Sequence, residues 1–237
     1  ILVEPHYATY AQTVRAVSGR PLAVAARPED GFEPDPAAVE AALAPDTRAI
    51  LINTPNNPTG AVYGRACLEG LADLCRRRGM WLISDEVYDT QVWEGEHLSP
   101  RALPGMTGHT IVVNSLSKSH AMTGARLGWT VAPREATALL ADLAIATNYG
   151  LPGFIQAGGA VALTDAEEAE RAVIGRYRDR RAAVLEALRA VPGIGVVPPE
   201  GGMYVMLDIR PTGLSGTAFA ERLLEAERVA VMPGESF

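Results

Sequence analysis

The chain has 237 residues, of which 48% are hydrophobic and 21% charged, with a formal charge of -7. That balance suits a globular chain with a large core, and the acidic charge, with no basic stripe interleaved with aromatics, argues against a nucleic-acid partner. No apolar run approaches the ~18 residues of a membrane span and no basic-then-apolar leader opens the sequence, so neither a membrane segment nor a secretory signal is expected.

From residue 20 to about 131 the pattern alternates between helix and strand. "DPAAVEAAL" opens a helix with Asp35 as N-cap and Pro36 at the first helical position. "RAILINT", at 48–54, is an apolar run leading straight into the turn-forming "PNNPTG", as a buried strand does. "RACLEGLADLCRRRG" spaces Leu68, Leu71, Ala72 and Cys75 on one helical face and stops at Gly79. The arginines at 76–78 fall at that helix end, where cations complement the dipole. Further strands are predicted in "MWLISDEVYD", "TIVVN" and "LGWTVA". Strands separated by helical patterns give an α/β fold with a mostly parallel sheet sandwiched by helices.

Thr164 and Glu167 have capping-box spacing, which predicts one long helix opening there and ending at Pro192-Gly193. Beyond it lie strand candidates "GGMYVMLDI" and "RVAVM" with a helix "TAFAERLLEAE" between them. Two domains follow: a large ligand-binding unit at 1–163, then the connecting helix with part of a small α+β unit at 164–237.

Cys67 and Cys75 share a helical face eight residues apart, too far to bridge. Two thiols without a disulfide framework fit a reducing, cytoplasmic compartment. The histidines His6, His97, His109 and His120 lack metal-ligand spacing, so no metal is expected. His97 and His109 fall in loop-like sequence and are expected to be exposed. His120 either borders the site or packs. Gly158 and Gly159 are expected at a close helix contact.

Ligands in open α/β sheets bind beyond the carboxyl ends of the strands. Three successive strands run into polar clusters there: Asn57 in "NNPTG", Asp85 and Tyr88 in "SDEVY", and Ser115, Ser117 and Lys118 in "SLSK", followed by Arg126. Singly, each has a plain explanation: a turn, a helix N-cap, a surface ion pair. Lys118 is also the only lysine, beside twenty arginines. A compositional preference for arginine explains the missing lysines but not the one retained, and only an amine can condense with an aldehyde. An amine, an acid to pair with a protonated ring nitrogen, donors for a phenolate and a guanidinium with a hydroxyl for a phosphate together describe pyridoxal 5'-phosphate.

"NNPTG", "SDEVY" and "SLSKSHAMTGARLG" resemble the signature blocks of class I/II aminotransferases, the fold-type I pyridoxal-phosphate enzymes, and blocks from "EPHYATY" to "VAVMPGESF" extend the resemblance over the whole chain. It implies Lys118 as the catalytic Schiff-base lysine, Asp85 at the ring nitrogen, Asn57 and Tyr88 at the phenolic oxygen, and Ser115, with Ser117 beside it, and Arg126 at the phosphate. It also implies Tyr7 packing over the cofactor, and a homodimer acting on an amino acid and a 2-oxo acid. Two departures stand out. Ala125 occupies a position usually held by Trp, and the family's N-terminal region and its carboxylate-binding arginine have no counterpart, so the chain is expected to be the central part of a longer enzyme. The nearest flavour is that of arginine–pyruvate and other guanidino amino acid aminotransferases. Another fold-type I reaction (β-elimination, decarboxylation, cyclisation) and a ligand-sensing domain without catalysis remain as alternatives.

Overall fold

The computed structural model describes residues 1–237. In chain order the chain forms β1 (Leu2–Glu4), α1 (Tyr10–Ala16), β2 (Ala23–Ala25), α2 (Pro36–Ala41), β3 (Ala49–Asn53), α3 (Arg65–Arg78), β4 (Trp81–Asp85) and β5 (Thr110–Ser115). There follow α4 (Leu116–Ser119), β6 (Gly128–Val131), α5 (Arg134–Asn148), α6 (Gly153–Asp165), α7 (Glu167–Arg189), β7 (Gly195–Val196), β8 (Leu207–Asp208) and α8 (Gly216–Glu227). Six strands make one sheet in the order β2-β1-β3-β4-β5-β6, parallel except for β6. β7 and β8 pair separately.

Register determines where the strands deliver their last residues. Asn53 of β3 lies opposite Asp85 of β4, and Asp85 opposite Val113 of β5, so β5 runs two residues further to Ser115. Three carboxyl ends therefore meet along one edge. Behind them α3 buries Cys67, Leu68, Leu71, Ala72, Leu74 and Cys75, positions that recur every three to four residues along one face. They join Ile50, Ile52 and Leu82 of the sheet and Val39 of α2 in one core cluster. Each fully buried Leu contributes roughly 2 kcal/mol by apolar burial.

The predicted helix signals around this core hold locally. Asp35 caps α2 by accepting from the Ala37 amide at 2.9 Å, with Pro36 at the first position. Gly79 ends α3 in the left-handed region at φ 61°, where a Cβ would be strained. Arg77 and Arg78 pair with Glu40, and Arg76 and Arg77 with Asp73, so the basic run is occupied in surface ion pairs.

Three expectations past residue 150 need correction. Thr164 does not cap a helix: it lies inside α6, its Oγ1 donating to the Ala160 carbonyl at 3.0 Å, and the chain breaks only at Ala166 before α7 begins at Glu167. A hydroxyl already bonded to the carbonyl four residues back cannot serve as an N-cap. Only Leu207–Asp208 of the "GGMYVMLDI" run pairs as a strand, and "RVAVM" forms none, with Val229 and Met232 left exposed beside no ladder. Of the glycine pair, only Gly159 is needed for packing. A Cβ there would meet Leu127 Cδ2 at 2.4 Å, while Gly158 faces open space.

Candidate active site

The turn at residues 54–60 is held by its own polar groups before it holds anything else. Asn56 Oδ1 accepts from the Thr59 amide (3.1 Å) and hydroxyl (2.8 Å), and the Gly60 amide donates to the Asn56 carbonyl at 2.9 Å. Asn53 Oδ1 takes the Asn57 amide at 2.7 Å. With its backbone fixed in this way, Asn57 is buried, and its Oδ1 has no hydrogen-bond partner. A buried orphan acceptor of this kind calls for a ligand or water.

Asp85 ends β4 with both carboxylate oxygens engaged. Oδ2 accepts from the Tyr10 hydroxyl at 2.5 Å and Oδ1 from the Val87 amide at 3.2 Å. Burial raises its pKa above the usual carboxylate range, and the Tyr10 and Val87 hydrogen bonds and Lys118 work in the opposite direction. Tyr88 is 2% exposed, and burial with Tyr204 beside it drives its hydroxyl well above the ordinary phenol range. The Tyr88 and Tyr204 rings meet edge-on at 6.3 Å.

Ser115 caps the short α4 by accepting from the Ser117 amide at 3.0 Å, and its hydroxyl lies 2.9 Å from both the Leu127 carbonyl and Ser117 Oγ. Its single proton is thus already claimed by protein acceptors, and Ser117 is the less committed hydroxyl. Lys118 follows in α4, with its carbonyl receiving Gln91 Nε2 at 3.3 Å. Arg126 takes up a left-handed backbone at φ 54°, uncommon for a residue with a Cβ, and its guanidinium reaches the Thr123 carbonyl at 3.0 Å. Ala125 sits in the preceding turn.

All eight residues singled out in the sequence (Tyr7, Asn57, Asp85, Tyr88, Ser115, Ser117, Lys118 and Arg126) line one cleft of about 260 Å³ at the carboxyl edge of the sheet. Neither of its cations, Lys118 and Arg126, forms an ion pair. Two unpaired cations and one desolvated carboxylate suit a ligand with an anionic group at one end and a protonated nitrogen at the other. A separate cavity of about 360 Å³, lined by residues such as Glu94, His97 and Glu200, contains none of the eight.

Five lining residues escaped the sequence reading: Tyr10, Asn53, Val87, Thr123 and Tyr204. Tyr10 stands three residues after Tyr7 and Asn53 closes its strand, so local signals existed for both. Tyr204 had none. It arrives on Pro199–Tyr204, whose Glu200 and Gly201 amides bond the Gly60 carbonyl at 2.9 and 2.8 Å and whose Gly202 amide bonds the Gln91 carbonyl. His97 is corrected too: its side chain is only 12% exposed, with Nε2 3.1 Å from the buried Glu86. A carboxylate buried one residue after Asp85 requires such a partner, and Ser99 Oγ supplies a second at 2.8 Å. His109, also expected in solvent, is half-buried.

The fold is that of one known family. Residues 1–237 match the family model "Aminotransferase class I and II", and the chain belongs to that family, whose members depend on pyridoxal 5'-phosphate. Over its whole length it is 47% identical to the arginine–pyruvate transaminase AruH of Pseudomonas aeruginosa and 40% identical to an aspartate/prephenate aminotransferase of Thermus thermophilus. It superposes on the Thermus thermophilus aspartate aminotransferase with maleate at a TM-score of 0.93 (39% identity), covering 99% of this chain and 61% of that one. With the aromatic aminotransferase of Pyrococcus horikoshii the TM-score is 0.95 (36% identity), covering 99% and 64%. The chain spans 60% of the Pseudomonas enzyme's length and 61% of the Thermus relative's.

Proposed function

We propose that this chain carries the cofactor site of a pyridoxal-phosphate aminotransferase that moves an amino group from an L-amino acid to a 2-oxo acid. The donor is arginine or another guanidino amino acid, the acceptor pyruvate, and the enzyme a cytoplasmic homodimer. The observation that carries this is the single cleft in which the chain's only lysine and the unpaired Arg126 face Asp85, Asn57 and Tyr88. The donor follows from the 47% identity to an arginine–pyruvate transaminase. A cytoplasmic setting agrees with two free, buried cysteines. No helix is long and apolar enough to cross a membrane. Exposed apolar side chains on α5 and α6, among them Leu139, Leu143 and Phe154, offer a second copy a surface to cover.

The donor set fits the cofactor. Arg126 and Ser117 would hold its phosphate, with Ser115 keeping Ser117 in place. Asp85 would pair with the ring nitrogen, Asn57 by its Nδ2 and Tyr88 by its hydroxyl would donate to the phenolic oxygen, and Tyr7 would cover the ring. When bound, the cofactor supplies an electron sink for negative charge at the substrate's α-carbon. Lys118 Nζ, the only side-chain amine, is the base that takes the proton from that carbon and returns it during transfer. Asp85, already desolvated, keeps its partner nitrogen protonated by a charge that water screens little.

Supplying the purified whole protein with cofactor, L-arginine and pyruvate should yield alanine, at a rate well above that with aspartate as donor. Cofactor uptake without alanine from any amino donor would overturn the assigned activity in favour of a sensing domain or a different reaction on the same scaffold.

A further inference from the structure

Tyr10 is the first residue of α1, and its side chain reaches back over the cleft in two directions. Its hydroxyl donates to Asp85 Oδ2 at 2.5 Å, one of the shortest side-chain hydrogen bonds in the site. Its ring meets the Tyr7 ring edge-on, with centroids 5.6 Å apart, and lies 5.8 Å from that of His6. The Tyr10 amide in turn donates to the Tyr7 carbonyl at 3.0 Å, so the two tyrosines are braced by backbone as well as by rings.

We infer that Tyr10 is a positioning residue that locks the Asp85 carboxylate by its hydroxyl and the Tyr7 ring by its edge, so that the cleft's acid and its covering aromatic are placed by one side chain. This rests on the cofactor assignment above, because the acid and the ring matter jointly only if one flat ligand lies between them.

The chemistry of the pair favours this role over simple packing. Val87 N and Tyr10 Oη occupy one oxygen each, which fixes the carboxylate plane and leaves the remaining lone pairs for a ligand. Other groups facing Asp85 are Glu86 on the same strand end, which opposes its charge, and Lys118 of α4, which favours it. Tyr88 and Tyr63 face Tyr10, and with burial and Asp85 they hold its hydroxyl protonated far above the ordinary phenol range. Tyr10 therefore remains a neutral donor at every working pH. It stabilises a carboxylate that burial alone would push toward the neutral acid, and it adds no charge of its own to compete with the ligand.

Tyr10→Phe keeps the ring contact with Tyr7 and removes only the donor. The Asp85 carboxyl carbon is followed by ¹³C NMR in the cofactor-free whole protein and assigned by its loss in Asp85→Asn. Its titration midpoint should rise by about one pH unit in Tyr10→Phe, the scale of a lost hydrogen bond to a charged group. The acid limb of pyridoxal-phosphate binding should move up in parallel. A merely structural tyrosine would leave both unmoved, and an unchanged midpoint overturns the inference. Should Tyr10→Phe not fold, the wild type still decides: the Tyr10 hydroxyl proton should appear as a far-downfield resonance that vanishes in Asp85→Asn, and its absence overturns the inference. If the wild type takes up no cofactor at all, the functional assignment fails instead, while the Asp85 titration still reports on Tyr10.

Discussion

Asn53 and Asp85 are register partners at the ends of two parallel strands, and Asn53 uses both ends of its amide to connect the site. Its Nδ2 donates to the Asp85 carbonyl at 2.9 Å, and its Oδ1 accepts from the Asn57 amide at 2.7 Å. One buried side chain, 3% exposed, thus ties the strand that carries the acid to the turn that carries Asn57. Asn53→Ala should leave the buried Asn57 amide without a partner and the Asp85 carbonyl with only the Thr54 amide, at 3.2 Å. The expected loss is about 1–3 kcal/mol of unfolding free energy in a denaturant titration, with weaker pyridoxal-phosphate uptake.

Asp85 itself is a site where function and stability oppose each other. Burial disfavours its charged form, so Asp85→Asn removes a desolvated charge and should leave unfolding free energy unchanged or slightly higher, within about 1 kcal/mol. Turnover should fall by several orders of magnitude, because a preorganised charge at the reacting centre is usually the largest single catalytic contribution. Chemical denaturation and steady-state rates on the same preparation test the pair of expectations. Wild-type turnover with cofactor bound would rule out the role given to Asp85.

The site edge was legible in the sequence because its residues sit at strand ends. Apolar runs give way to polar residues at Asn53, at Ser84 and Asp85, and at Asn114 and Ser115, and parallel strands place such ends along one edge. The α3 face and its Gly79 stop were legible for the same reason, since period and cap agree. What the sequence hid depends on tertiary pairing. Thr164 carries a capping pattern, but the apolar "GFIQAGGAVAL" run before it is itself helical and carries the helix past it. "RVAVM" has strand composition without a neighbouring strand to pair with. Tyr204 reaches the cleft from 116 residues beyond Tyr88 (204 − 88), through contacts that no local pattern encodes.

Those contacts depend on glycine. At Gly60, φ is +75° and a Cβ would lie 2.2 Å from Pro199 Cβ and 2.9 Å from the Gly201 carbonyl. Gly60→Ala should therefore detach the 199–204 segment from the turn and draw Tyr204 away from Tyr88. A destabilisation of about 1–3 kcal/mol is expected from backbone strain and overpacking. Proteolysis near residue 200 should become faster than in the wild type. An unchanged cleavage rate there would show that the segment does not depend on this contact.

The buried thiols give a pH dependence with a definite sign. Burial pushes both Cys67 and Cys75 up to about 12 from an ordinary value of 9.0. A folded-state value above the unfolded one contributes stability that is complete below about pH 9 and is lost as pH rises toward 12. Each thiol should add up to ~1.4 kcal/mol of loss per pH unit across that window, so Cys75→Ser should show a shallower alkaline decline than the wild type. Both thiols should also be silent to a disulfide reagent at neutral pH until the protein unfolds.

The single lysine permits the sharpest test. Lys118→Arg preserves a cation in the cleft at the same position in α4, so a purely electrostatic role would survive the change. An amine that must lose a proton and attack an aldehyde cannot be replaced by a guanidinium, which stays charged at any working pH. Lys118→Arg should therefore be inactive in transamination, with a rate loss of several orders of magnitude, while Arg126, Ser117 and Asp85 still retain cofactor. Borohydride treatment separates the two roles directly. In the wild type it should fix the cofactor covalently on the peptide that contains Lys118, and in Lys118→Arg the cofactor should wash out on denaturation. If the label maps to another peptide, or if Lys118→Arg still forms alanine from pyruvate, the amine at residue 118 is not the reacting group and the one lysine among twenty arginines is an accident of composition.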